Sequence, residues 1–266
     1  MRNLMGIFMP LITLTTDFGT SSPYVAAMKG VILSICPHAQ LVDLGHDLPP
    51  QDVVHAAYFL ADAIPYFPER TIHVCVVDPG VGTDRALLLA EARRQFVLAP
   101  DNGVLTFVLE KLDRSASIRT LTESKFWRCD RSNTFHGRDI LAPVAGHLAL
   151  DTPAEMFGPT TAEWKRIDEP RPAIQDRCVE GSIVLVDGFG NLISNITATM
   201  LPKPPIRIQM GDHANVPFVD TYAEALPGTL VALIGSEGRL EIALVDGNAA
   251  AFVRAGVGSA LVVAGA

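Results

Sequence analysis

The feature that most constrains the fold of this chain is an alternation of short apolar runs with helix-period stretches across residues 11–150. The apolar runs predict strands at residues 11–16, 41–44, 71–77, 96–99 and 118–121. Apolar residues spaced as on one face of a helix occupy residues 24–36, 53–64, 105–112 and 139–150. Strands that alternate with helices in this way predict a mostly parallel sheet with helices on both faces.

The second half of the chain follows a different pattern. Prolines and weak periodicity mark the stretch after residue 150, and we predict a linker at residues 161–180. Short apolar runs then recur at residues 183–186, 192–196, 206–210, 229–234, 242–245 and 260–263, several of them separated by Asp-Gly or Pro-Gly turns. The sequence therefore predicts an α/β domain at residues 1–160 and an all-β, barrel-like domain at residues 181–266.

Composition narrows the class of partner. Of the 266 residues 48% are hydrophobic, which is ample for a core, and a formal net charge of -8 argues against a broad nucleic-acid surface. The four cysteines stand singly and the seven histidines form no ligand pair, so we expect reduced thiols and no protein-held metal. The apolar stretch at the start of the chain is interrupted by Thr13 and ends at Asp17, so it is too short to span a membrane. We therefore expect a cytoplasmic protein that binds small molecules.

Polar, glycine-rich segments follow several predicted strands, where the catalytic groups of parallel sheets usually gather. Asp17 follows the first strand, and from the residues alone a role in a turn or at a helix start is the favoured interpretation. The alternative is a ligand-binding role in which its carboxylate accepts hydrogen bonds from both hydroxyls of a ribose. Asp78 follows the most apolar strand, and Gly80 and Gly82 keep the loop before Arg85 open to a ligand. A structural Asp–Arg pair in a tight turn is the alternative for this loop.

Further candidates lie in three other polar segments. His136 is flanked by Gly, Arg and Asp in a loop, but a lone histidine is weak evidence for catalysis. Asp187-Gly188 is typical of a hairpin turn, yet Phe189 and Asn191 beside it could stack on and hydrogen-bond a planar base. Ser236 lies in a Gly-Ser-Glu-Gly segment that fits either a turn or a carboxylate-binding nest.

Taken together, these segments resemble one family. TTDFG at residues 15–19, VVDPGVGTDR at 76–85, PDNG at 100–103, TFHGRD at 134–139 and VDGFGN at 186–191 are similar to segments of the S-adenosylmethionine (SAM) hydroxide adenosyltransferases, or SAM hydrolases, which are related to the fluorinase and chlorinase. The resemblance runs from about residue 11 to about residue 263. It implies an α/β domain followed by a β-barrel domain. It also implies a homotrimer with active sites between one subunit's N-terminal domain and a neighbour's C-terminal domain.

The resemblance implies a catalytic set in the first domain. Asp78, Arg85 and His136 match a triad credited with activating water, and Asp17 matches the carboxylate that holds the ribose diol. In the fluorinase a tyrosine stands at the position of Asp78, so the comparison favours hydroxide over halide as the nucleophile.

The implied substrate contacts of the second domain fall on four residues. Phe189 and Asn191 match residues that bind adenine, while Asp187 and Ser236 match positions that hold the amino and carboxylate ends of methionine.

The implied reaction is hydrolysis of SAM to adenosine and L-methionine without a cofactor. A sulfonium leaves as a neutral thioether, so the protein needs only to place a water in line with the C5′–S bond and give it hydroxide character. Two alternatives stay open. One is a halide-dependent 5′-halo-5′-deoxyadenosine synthase, and the other is a non-catalytic sensor of SAM or adenosine.

Overall fold

The computed structural model describes residues 9–113, 115–168, 171–204 and 206–265, which form two compact units that meet in sequence between Ile167 and Asp168. This division lies inside the segment predicted as a linker. Among the described residues no helix is long and apolar enough to cross a membrane. Most of the apolar start of the chain, residues 1–8, lies outside the described residues.

The first unit is built on a six-stranded sheet of order β2-β1-β3-β5-β4-β6. Its strands are β1 (Leu11–Thr16), β2 (Gln40–Gly45), β3 (Ile72–Val76), β4 (Leu87–Ala92), β5 (Gln95–Pro100) and β6 (Ser117–Thr120). The pairs β1–β2, β1–β3 and β3–β5 are parallel, whereas β4 runs antiparallel to both β5 and β6. The predicted mostly parallel sheet is confirmed.

Four helices flank this sheet: α1 (Tyr24–Ile35), α2 (Val53–Ala63), α3 (Thr106–Leu112) and α4 (Ala142–Ala149). Helices α1 and α4 pack on each other and share a core with side chains of β1 and β3 such as Ile12 and Val74. Helices α2 and α3 form a second pair, in which the rings of Tyr58 and Phe107 stack with centroids 4.3 Å apart. Because β3 is buried along its whole length, its nearly continuous apolar sequence fits a strand covered on both faces.

The carboxyl ends of β1 and β3 lie side by side, because the strands are adjacent and parallel. Asp17 follows the end of β1, and Asp78 lies two residues beyond the end of β3. The polar segments that the sequence placed after these strands therefore meet at one edge of the sheet.

The second unit is an antiparallel, nearly barrel-shaped sheet, as predicted. Seven strands take part, in the order β10-β13-β8-β9-β12-β11 with β7 paired to β8. They are β7 (Ala173–Gln175), β8 (Cys178–Val186), β9 (Leu192–Thr197), β10 (Ile206–Met210), β11 (Leu230–Ile234), β12 (Arg239–Leu244) and β13 (Ala260–Gly265). A short helix, α5 (Ala249–Val253), precedes the last strand and was not predicted. Strand β7 and the start of β8 lie in the segment predicted as a linker.

The segment between β10 and β11 occupies the gap between the two end strands of the sheet. The N–H of Val216 donates to the carbonyl of Ile208 on β10 at 2.9 Å. The N–H of Ala232 on β11 donates to Pro217 at 2.8 Å, and Val219 donates back to Ala232 at 2.9 Å. These bonds continue the sheet around an apolar core that includes Ile183, Leu192, Ile242 and Val263.

Candidate active site

A buried ion pair lies beyond the end of β3. The Nε of Arg85 donates to the two carboxylate oxygens of Asp78 at 2.7 and 2.9 Å, and its Nη2 also donates to Oδ2. The two side chains are only 4% and 6% exposed. Asn102 fixes the strand end beneath the pair, because its side-chain amide donates to the carbonyl of Val77 at 2.8 Å. The guanidinium thus binds the carboxylate through two of its nitrogens, and both side chains are largely shielded from solvent.

His136 completes a chain of three bonded side chains. The Nη2 of Arg85 lies 3.0 Å from Nδ1 of His136. A guanidinium can only donate, so Nδ1 is the acceptor and the neutral ring carries its proton on Nε2. Burial and, after it, the Arg85 charge lower the pKa of His136 below its ordinary value. The ring is therefore neutral near pH 7 and offers an N–H, not a lone pair, on its second nitrogen.

Two glycines allow close approaches around the His136 loop, one to the Arg85 loop and one to β3. Gly82 has a φ of +81°, and a Cβ on it would lie 2.7 Å from the carbonyl oxygen of Asn133. Gly137 sits on the end of β3, where a Cβ would lie 3.0 Å from both methyl groups of Val76. A larger residue at Gly82 would press the Arg85 loop away from the His136 loop, and one at Gly137 would press the His136 loop away from β3.

The charged neighbours of His136 in sequence serve its loop. Asp139 is fully buried and accepts from Arg138 Nε at 2.7 Å and from the Ser132 N–H at 2.8 Å. Burial raises the pKa of Asp139, but these bonds and the charges of Arg138 and Arg128 outweigh it, and the pKa lies below its usual range. Arg138 and Asp139, which are close to His136 in sequence, therefore anchor the loop that carries His136.

Asp17 faces the same cavity as Asp78 and His136. This cavity has a volume of about 340 Å³. The Oδ2 of Asp17 accepts from the backbone N–H of Gln51 at 2.7 Å, which orients the carboxylate. Three aromatic rings that meet edge to face line one wall, and they belong to Phe18, Tyr24 and Phe135. The first unit therefore brings its four predicted site residues together.

A histidine that the sequence did not single out supports the Asp17 loop. Thr16 Oγ1 accepts from the N–H of Phe18 at 3.3 Å and lies 3.0 Å from Nδ1 of His46. His46 Nε2 in turn lies 2.9 Å from Asp43, and the backbone carbonyl of His46 accepts from Gly19 at 2.8 Å. No sequence signal indicated this role, because these residues lie at or just beyond the ends of β1 and β2, which pair only in the folded chain.

The second unit carries a separate pocket of about 420 Å³, lined by Phe189, Asn191 and Tyr222 among others. Phe189 is 80% exposed, whereas Asn191 is buried. Asp187 Oδ1 accepts from the backbone N–H groups of Phe189 and Asn191 at 2.9 and 2.8 Å, and its Oδ2 accepts from the Asn191 side-chain amide at 3.0 Å. Among the described residues no partner takes up the carbonyl oxygen or the second N–H of this amide, and these two groups suit a planar ligand with adjacent donor and acceptor groups.

Ser236 lies in a different part of the second unit. It is exposed in the turn between β11 and β12 and is not among the residues that line the pocket. Tyr222, which does line the pocket, was missed by the sequence analysis. Its segment carries no glycine-rich or paired polar signal, and only the fold of the sheet places its ring beside Phe189 and Asn191.

Comparison with known proteins extends these observations. Residues 12–158 match the SAM hydroxide adenosyltransferase N-terminal domain, and residues 181–262 match the SAM hydroxide adenosyltransferase C-terminal domain. The chain is 38% identical to an (R)-S-adenosyl-L-methionine hydrolase of Thermus thermophilus, with 88% of this chain and 91% of that protein covered. It is 35% identical to the protein of that name from Salinispora arenicola, with 91% and 92% covered.

A more distant curated relative and a solved structure are also similar to this chain over most of its length. A fluorinase of Actinoplanes sp. is 30% identical, with 88% of this chain and 90% of that protein covered. A crystal structure of a conserved protein from Thermotoga maritima has a TM-score of 0.87 and 32% identity, with 95% of this chain and 99% of that chain covered. The matches therefore include both units of the chain.

Proposed function

The chain belongs to the SAM hydroxide adenosyltransferase family, and from this premise we propose that it hydrolyses S-adenosylmethionine to adenosine and L-methionine. The observation that carries the proposal is that Asp78 and His136, joined through Arg85, line the same cavity as Asp17. A water molecule that attacks the ribose C5′ carbon must be positioned and activated next to the bound ribose, and these side chains lie where they can do both.

The substrate itself lowers the demands on the protein. The C5′–S bond breaks with its electron pair going to sulfur, and methionine leaves as a neutral thioether, so no general acid is required. The oxygen of water forms the new bond to C5′, and one proton must leave that water. We propose that this chemistry proceeds without a metal or cofactor, because the activation resides in the sulfonium.

The bonding pattern assigns different tasks to the three residues. With Nδ1 bonded to Arg85, the neutral His136 can only donate from Nε2, so in this proposal it orients the water instead of deprotonating it. Arg85 supplies a positive field that stabilises hydroxide character. Asp78 is the one anionic group of the set and is proposed to accept the proton, which then passes to solvent.

We further propose that the substrate contacts are those implied by the family resemblance. Asp17 would accept the ribose hydroxyls, and Phe189 and Asn191 would contact adenine. Asp187 and Ser236 are proposed for the amino and carboxylate ends of methionine. The bonds that Asp187 receives from Phe189 and Asn191 also give it a part in holding the adenine contacts.

The names of the relatives support a choice of sulfonium epimer. The curated proteins at 35% and 38% identity are called hydrolases of (R)-S-adenosyl-L-methionine, and we propose the (R) epimer as the preferred substrate.

The assembly and location are proposed on other grounds. We propose a homotrimer in which the first unit of one subunit and the second unit of a neighbour share each substrate, as the resemblance implies. A cytoplasmic location fits the four cysteines, all free in the structure. The net charge of -8 supports small-molecule partners, with neither nucleic acid nor a membrane as a partner.

The test is incubation of the purified protein with each SAM epimer, with products separated by chromatography. We expect adenosine and methionine in equal amounts, faster from the (R) epimer, and no change of product when chloride is added. Formation of 5′-chloro-5′-deoxyadenosine would replace the hydrolase with a halide-using synthase. Tight SAM binding without any product would identify a sensor.

A further inference from the structure

A buried carboxylate in the second unit is hydrogen-bonded to a residue that lines the pocket described above. Glu241 is on β12 and is only 6% exposed. The hydroxyl of Tyr222 donates to its Oε1. Burial raises the pKa of Glu241, the bond from Tyr222 opposes that effect, and the nearby charge of Asp187 adds to it. A buried carboxylate with this bond is one whose position is closely defined.

The bond matters for the pocket because of where the Tyr222 ring lies. The ring lines the pocket together with Phe189 and Asn191. The hydroxyl oxygen of a tyrosine lies on the long axis of its ring, so a bond at that oxygen fixes the direction of the side chain and therefore the position of the ring. Phe189, in contrast, is 80% exposed. Tyr222 is therefore an aromatic residue of the pocket whose position is held by a hydrogen bond.

The second oxygen of Glu241 reaches another predicted binding segment. A Cβ on Gly235 would overlap Oε2 of Glu241, so the carboxylate passes directly beside the backbone of that glycine. Gly235 begins the turn that carries Ser236, and its N–H donates to Arg239 at 2.9 Å. One buried side chain thus contacts both the wall of the pocket and the Ser236 turn.

We propose that Glu241 is a positioning residue for substrate binding: it holds the Tyr222 ring against the base-binding pocket and supports the Ser236 turn without touching the ligand. This inference rests on the proposed function for the identity of the ligand, the adenosyl group. It predicts that the bond between Glu241 and Tyr222 controls affinity, whereas the chemical step depends on the first unit.

The experiment compares Tyr222→Phe, Glu241→Gln and the double variant with the wild type. Tyr222→Phe keeps the ring and removes only the hydroxyl. We expect it to raise KM for SAM and the Kd for adenosine by about tenfold, the loss of one hydrogen bond to a charged group, with kcat within about twofold of wild type. Glu241→Gln keeps an acceptor oxygen and should give a smaller increase. Adding Glu241→Gln to Tyr222→Phe should bring little further loss, because the bond is already absent.

The matched control is Glu180→Gln, which changes an exposed glutamate on β8 of the same unit and should leave all constants unchanged. A lower melting temperature with unchanged KM and Kd in Tyr222→Phe would overturn the proposal, since the pair would then serve stability alone. Fully additive losses in the double variant would overturn it too. Adenosine affinity is measured by calorimetry and needs no turnover. Weakened adenosine binding in the variants of a protein that fails to hydrolyse SAM would therefore uphold the positioning role and reject the proposed function.

Discussion

Replacing Asp78 by asparagine keeps the shape of the side chain and removes the charge that faces Arg85. Both side chains are almost wholly buried, so the variant leaves a guanidinium without its counter-charge and turns one amide N–H₂ toward the Arg85 donors. Breaking a buried pair from one side costs about 3–5 kcal/mol. A unit of this size loses about 2–4 °C per kcal/mol, so the unfolding midpoint should fall by about 6–20 °C. Turnover at a temperature where the variant is folded should fall by ~100-fold or more.

The assay follows adenosine release by chromatography and unfolding by calorimetry on the same preparations. Asp84→Asn makes the same chemical change at an exposed position of the same loop and should stay within about 0.5 kcal/mol of wild type with full turnover. Wild-type turnover in a destabilised Asp78→Asn protein would show that the Asp78–Arg85 pair is structural only, and the assignment of proton acceptance to Asp78 would fall with it.

Three further predictions address separate parts of the first unit. Gly82→Ala should lower the free energy of unfolding by about 1–3 kcal/mol and remove most of the turnover. The control is Gly80→Ala, whose added Cβ meets only ordinary contacts at 3.5 Å or more, and equal stability and turnover in the two variants would show that the close approach of Gly82 to Asn133 is unimportant. Burial lowers the pKa of His73 to about 3, so below pH 6.5 the unfolded chain binds a proton that the folded chain does not. The free energy of unfolding should then fall by up to about 1.4 kcal/mol per pH unit as the pH drops from 6.5 toward 3. Denaturant titrations at several pH values should find a weaker pH dependence in His73→Asn. Asp17→Asn should raise KM for SAM by about tenfold with a smaller change in kcat; an unchanged KM in initial-rate measurements would remove Asp17 from the ribose site.

Most of the first unit's elements were predictable because their periodicity is strong. Strand β1 was predicted at its observed bounds, and the predictions for α1 and α2 are one residue too long. Strand β4 was missed, and the reason lies in its turn to β5. That turn is made by Arg93 and Arg94 with φ values of 46° and 59°, a conformation that the sequence signals only when glycine or asparagine occupies it.

The end of the first unit shows a second limit of periodicity. The stretch at 139–150 was predicted as one helix, but the chain forms a π-helical turn at Gly137–Leu141 before α4 begins. The wider turn places Gly137 against Val76, a contact between segments about sixty residues apart in sequence, and no local pattern encodes it. Tertiary packing therefore decides the backbone beside His136.

The candidate site was predictable as a set of residues but not as a set of bonds. The sequence placed Asp78 and Arg85 in one loop, but it left open whether they form a structural ion pair or part of a catalytic site. The contact between Arg85 and His136, through which the histidine accepts at Nδ1, exists only because two loops meet at Gly82. Glu241 gave no signal at all, since a glutamate in an apolar strand is indistinguishable in sequence from one that faces water.

The segment at residues 216–219 has a consequence for how this chain meets other chains. Because it hydrogen-bonds to both β10 and β11, it occupies the two end strands on which a foreign strand would otherwise add. An unprotected strand edge is a template for uncontrolled pairing, and here that template is taken up from within. At these two edges subunits would associate by fitting side-chain surfaces instead of by strand pairing, and Phe189, Leu226 and Val257 are among the large apolar side chains that the second unit exposes.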